Sequence, residues 1–85
     1  MAVEQTSITA FRSLQHTLGK RQARVLSVLG RFGRLNNREI ALHSGLPINC
    51  VTPRVLELRR LGLVAPDIIV TDMVTHRKTI TWRVV

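Results

Sequence analysis

The sequence holds a single cysteine, Cys50, in 85 residues. No disulfide can therefore form within the chain, which suits a reducing compartment. Carboxylates are scarce: Glu4, Glu39, Glu57, Asp67 and Asp72 are all there are. None sits close enough to another in sequence to suggest paired acid–base or metal chemistry. His16, His43 and His76 lack the mutual spacing of a zinc site. There is no glycine-rich phosphate loop. No apolar stretch approaches the ~20 residues of a membrane span, and Met1 to Glu4 lacks the basic-then-apolar order of a secretion signal. Repeats, low-complexity runs and linkers are also missing. These absences predict a single domain over residues 1–85 that is not an enzyme, needs no metal or cofactor, avoids membranes and resides in the cytoplasm.

What the chain does have is positive charge. Thirteen Lys and Arg against five Asp and Glu leave a formal charge of +8, spread from Arg12 to Arg83. A small folded domain this basic is expected to meet a polyanion, nucleic acid before an anionic membrane or an acidic protein. Eleven of the thirteen cations are Arg, the planar donor that can fork to a phosphate or a guanine edge. The composition is 45% hydrophobic, enough for one modest core and too apolar for a disordered chain.

Apolar periodicity predicts four helices and then a change of period. Ile8, Phe11, Leu14 and Leu18 form a stripe that predicts a helix over 8–18, with Ser7 or Thr6 as its cap. A second helix is expected over 20–32, with Val25, Leu26, Leu29 and Phe32 inward and Gly33 as its stop. Asn36 with Glu39 three residues on makes a capping-box start for a helix over 36–44, in which Ile40, Ala41 and Leu42 face the core and Gly45 ends the run. Pro47 opens a fourth helix over 48–61, with Ile48, Val51, Val55, Leu58 and Leu61 at helical spacing. Pro53 predicts a late start or a kink there. The remainder, 63–85, reads as an antiparallel hairpin. Ile80, Trp82 and Val84 alternate with Thr79, Thr81, Arg83 and Val85, and a polar, cationic turn from Met73 to Lys78 joins the strands.

Ala41, Gly45 and Val51 carry the spacing of a helix-turn-helix: a small residue at the crossing, a glycine in the turn, an aliphatic lock on the second helix. Across Leu35–Ala41, Gly45–Asn49, Val51–Val55, Leu58 and Leu61–Val64 the sequence resembles the winged-helix regulators of bacteria and their phages. Within them it is most similar to the small phage- and prophage-encoded proteins akin to the multiple-antibiotic-resistance-regulator type. The resemblance covers about Gln22 to Arg83. It implies an α+β, mainly α fold: a winged helix-turn-helix with an additional N-terminal helix and a C-terminal β-hairpin wing. It also implies double-stranded DNA as partner, transcription regulation as role, and a bacterial host cytoplasm or nucleoid as location.

By position, the resemblance makes 48–61 the recognition helix. Asn49 would read adenine, Arg54 would fork to a guanine, and Thr52 would meet a phosphate or a thymine methyl. Each has a structural alternative: helix capping for Asn49 and Thr52, an ion pair with Glu57 or Glu39 for Arg54. Arg59 and Arg60 suit phosphates or their own helix terminus. Arg38 lies in a helix's first turn, where a cation opposes the helix dipole and so asks for an anion. With Arg34 and the amides near Asn37 it would clamp a phosphate, solvated surface charge being the alternative. At the wing, His76, Arg77 and Lys78 would follow the backbone or enter the minor groove. The resembling proteins often have glycine where His76 stands. Trp82 is expected in the core, and Cys50 as a small filler or a redox-sensitive thiol. Homodimerisation is one assembly; the helix over 8–18 would either provide its interface or, the preferred reading for so small a domain, cover the domain's own core. The rival reading is a winged helix that binds an acidic host protein, favoured by Leu56 and Pro53 on the recognition face.

Overall fold

The computed structural model describes residues 18–85. The helix expected over 8–18 lies outside them, apart from Leu18, which packs against the core. In order come α1 (Lys20–Phe32), α2 (Asn37–Ser44), α3 (Ile48–Arg60), β1 (Val64–Thr71) and β2 (Lys78–Val84). The core joins Val25, Leu26 and Leu29 of α1, Ile40 of α2, and Val51, Val55 and Leu58 of α3 to Leu35, Leu63, Val64 and Trp82. Helical spacing thus converts into one contiguous interior, as the sequence predicts for most of these positions.

Four aliphatic or aromatic positions depart from expectation. Phe32 is 46% exposed and Leu42 69%. Phe32 is the last residue of α1, beyond the core's edge, and its ring stacks on His43 with centroids 4.0 Å apart. Leu42 stands about 200° around the helix from buried Ile40, and a helix of two turns can bury only one side. Ile48 and Leu61 flank α3 at either end and are also exposed.

The helix starts follow local chemistry. The side chain of Asn36 accepts from the Glu39 amide (2.8 Å), and that of Glu39 accepts from the Asn36 amide (2.9 Å), so both expected halves of the capping box are formed. Between α2 and α3 the chain reverses in three residues. Gly45 takes φ 75°, where a side chain would be strained, and its amide donates to the Ala41 carbonyl. Helix α3 begins directly after Pro47 and continues through Pro53. Pro53 has no amide to offer the Asn49 carbonyl, but both residues are exposed, so water can take its place.

The hairpin pairs Val64 with Val84 and Pro66 with Trp82, then slips, so that Ile69 faces Ile80. Two residues, Asp67 and Ile68, therefore oppose Thr81 alone, which is a β-bulge. The Thr81 hydroxyl repairs the ladder there: it accepts from the Ile68 amide (3.1 Å) and donates to the Ile68 carbonyl (2.7 Å). That is why Thr81 is buried and Ile80 exposed, against the simple alternation read from the sequence. Trp82 is tied by backbone bonds in both directions to Leu35, which fastens the hairpin to the segment between α1 and α2.

Gly30 lies inside α1, and a Cβ there would meet nothing within 4 Å. Gly30→Ala should therefore stabilise the protein by about 0.5–1 kcal/mol, the helix-propensity gain, measured by urea unfolding. An unchanged midpoint would contradict it.

Candidate nucleic-acid interface

The outward side of α3 is made by the residues that the core leaves free. With Val51, Val55 and Leu58 buried, Asn49, Thr52, Pro53, Leu56, Arg59 and Arg60 are exposed, as helical geometry requires. Thr52 is already engaged. Its hydroxyl donates to the Ile48 carbonyl (3.2 Å) and accepts from the Asn37 side-chain amide (3.4 Å). Arg59 holds its guanidinium 5.7 Å from the centre of the Trp82 ring, a cation–π contact that carries its charge across from α3 to β2. Asn37, Thr52, Pro53, Val55, Leu56, Arg59 and Trp82 line one cavity of about 460 Å³. Two polar atoms of that lining, Asn37 Oδ1 and Trp82 Nε1, are buried without a partner.

The expected guanine reader faces elsewhere. Arg54 forks to Glu57 through Nε (2.7 Å) and Nη2 (2.8 Å), and Glu57 also accepts from Gln22 of α1 (2.9 Å). These bonds hold the Glu57 carboxyl below its ordinary range, the Arg54 bond being the largest cause. Arg54 thus stands on the side of α3 that packs toward α1. To reach a base it would first have to leave Glu57.

Arg34 and Arg38 likewise have internal partners. Arg34 Nε donates to Asp67 at the bulge (2.7 Å). Arg38 Nε donates to Asp72 Oδ2 (2.6 Å), whose side chain is almost wholly buried. The anion that Arg38 calls for at the start of a helix is present, and the protein itself supplies it. Asp72 also accepts from Asn36 Nδ2 (3.0 Å) and the Val74 amide (2.8 Å). Asn36 in turn reaches Thr79 Oγ1 (3.0 Å). The Arg38 bond first, with the Val74 amide next, holds the Asp72 carboxyl far below the usual carboxylate range.

At the wing, His76 takes φ 58°, the left-handed conformation expected where related turns use glycine. His76, Arg77 and Lys78 are all exposed. Every carboxylate among the described residues is engaged: Asp67, Asp72 and Glu57 in ion pairs, Glu39 in capping. Arg59, Arg60, Arg77 and Lys78 have no ion-pair partner among the described residues. Cys50 is half-buried, and no group of three or more potential metal ligands occurs among those residues. None of the described helices is long and apolar enough to cross a membrane. Asp72, Thr81 and Leu35 take their parts from the fold. Only Asp72 carried a usable signal, as an Asp opening a turn whose side chain can bond the amide two residues on.

Solved structures share the fold. The adhesin competence repressor (AdcR) of Streptococcus pyogenes superposes with a TM-score of 0.62 at 18% identity, over 99% of this chain and 59% of that one. The transcriptional regulator PA4135 gives 0.65 at 20% identity, over 99% and 60%. The fold is a winged helix-turn-helix. The chain spans about 60% of the length of these two proteins. No family model matches the sequence, and neither does any curated protein.

Because Asp72 titrates well below its unfolded value, its ionised form stabilises the fold. That contribution is complete above about pH 4, the ordinary Asp value, and is lost as the pH falls further. Thermal unfolding followed from about pH 7 to about pH 2 should show this acid loss. Asp72→Asn should unfold at a lower temperature at neutral pH and show a shallower acid slope. An Asn variant equal to wild type at neutral pH would refute the role.

Proposed function

We propose that this chain binds double-stranded DNA in a sequence-specific manner and acts as a transcription regulator. Helix α3 lies in the major groove, and the basic wing lies on the backbone or in the minor groove. The observation that carries the reading is the uncompensated charge. The four described carboxylates are consumed by internal bonds, while Arg59, Arg60, Arg77 and Lys78 on α3 and the wing stay exposed without an ion-pair partner among the described residues, as do Lys20, Arg21, Arg24 and Arg31 on α1 and Arg83 on β2. The Arg59–Trp82 contact joins α3 to β2, and the Arg38–Asp72 pair joins α2 to the wing's turn. Phosphate neutralisation supplies affinity; Asn49, Thr52 and the neighbouring outward side chains supply sequence preference. The two solved structures are a repressor and a transcriptional regulator by name, which agrees with this role.

Arg34, Arg38 and Arg54 enter this reading in a different capacity from that expected. Each is held by a carboxylate, so their first effect is to set the positions of the wing, α2 and α3. Arg34 is still half exposed and can share a phosphate with Asp67. The amide of Asn37, at the first position of α2, binds a backbone phosphate. One recognition helix reads few base pairs, so we further propose that two copies act on an inverted repeat.

Selection of bound fragments from a random DNA pool at two salt concentrations tests the proposal. A motif should be enriched, and about six phosphate contacts give a log–log salt slope near −5. Replacing Arg77 and Lys78 together with Ala should weaken binding to all sequences and reduce that slope by about 2. A flat salt response would sink the reading. Leu56 is 45% exposed beside Pro53 and the cavity, which favours an acidic protein partner as the second reading. No enrichment and no retention of DNA would support it.

A further inference from the structure

The turn between the strands is cationic on one side only. Met73 is 86% exposed and Val74 65%; Met73 is the most exposed of the large hydrophobic side chains described. Both precede the exposed run His76-Arg77-Lys78. Exposed apolar side chains are common singly; what sets this pair apart is its place in a turn that also carries exposed cations. An occupant of that turn must be apolar at the point of contact and anionic around it.

The turn is also held still. The Asp72 amide donates to the Arg77 carbonyl (2.8 Å), the His76 amide to the Asp72 carbonyl (2.8 Å), and the Val74 amide to Asp72 Oδ1 (2.8 Å). Asp72 is itself fastened to Arg38 and Asn36 at the start of α2. One residue therefore both shapes the tip and fixes it against the helix-turn-helix. Its negative charge is 3% exposed and paired, so it presents little repulsion to phosphates.

We propose that Met73, with Val74 beside it, is an apolar wedge that enters the minor groove at a base step, partly unstacks it and bends the bound duplex. The proposal rests on the DNA-binding reading and adds to it a contact and a deformation. Base steps between two phosphate rows offer an apolar face flanked by anions, which matches the composition of the turn: exposed Met73 and Val74, then exposed Arg77 and Lys78. Methionine is unbranched and slender enough to slide between bases, and it is among the residue types that serve as wedges. A tip already fixed in place loses little conformational freedom on insertion, so more of the contact is left to offset unstacking.

The probe is a short duplex with a central TA step, the kind that unstacks most readily, at low salt. It carries 2-aminopurine at successive positions and a donor–acceptor dye pair at its ends. Wild type should raise 2-aminopurine emission several-fold at one position and shorten the end-to-end distance. Met73→Ala, at a site too exposed to disturb folding, should abolish both signals and weaken binding about tenfold. Arg77→Ala should weaken binding but keep both signals once the duplex is saturated. A straight, fully stacked complex with wild type, or unchanged signals with Met73→Ala, would overturn the wedge and leave DNA binding standing. Failure of wild type to bind any duplex would remove both. Met73-dependent binding to phosphatidylserine vesicles in place of DNA would assign the tip to a membrane surface and overturn the proposal.

Discussion

The Asp72 carboxylate ties three parts of this small fold together. It receives the Arg38 guanidinium, the Asn36 side-chain amide and the Val74 backbone amide. Asn36 is meanwhile the cap of α2, and Val74 belongs to the wing's tip. A buried carboxylate is expensive unless fully partnered; with these donors it becomes a joint. The wing then has one position relative to the helix-turn-helix, because moving it would leave an unpaired charge in a dry place.

Negative groups are few, and the structure uses them at the junctions: Asp67 at the bulge, Asp72 at the start of the wing's turn, Glu57 between α3 and α1. The arginines beside them become structural. The remaining exposed cations of α3 and the wing keep their charge available to an external anion. Scarcity of acid therefore does two things: it limits the number of ion pairs and leaves an uncompensated basic surface.

Much of the fold is visible in the chain. The bounds of α1, the Asn36–Glu39 capping box and the Gly45 turn follow from local chemistry acting over three or four residues, which the sequence displays directly. The inward set Val25, Leu26, Leu29, Ile40, Val51, Val55 and Leu58 follows from helical period. Periodicity extends too far at the ends, at Phe32, Ile48 and Leu61, because a stripe continues in sequence after the neighbour it packs on has stopped. The hairpin was visible, but its faces were not. The bulge at Asp67–Ile68 shifts the register by one residue, and a one-residue shift inverts which side chains are covered.

The candidate site divides in the same way. By itself the sequence determined the local starts and stops, the excess of arginine and the basic wing, since charge and capping act between near neighbours. The partners of Arg34, Arg38 and Arg54 were decided in two ways. Glu57 lies three residues from Arg54 and was one of two named candidates; Asp67 and Asp72 lie more than thirty residues from their arginines. Only tertiary structure could choose them, and so only it could separate the cations that brace the fold from those left without a partner among the described residues. An ion pair depends on distance in space, and nothing in a linear pattern encodes that distance until the chain has folded back upon itself.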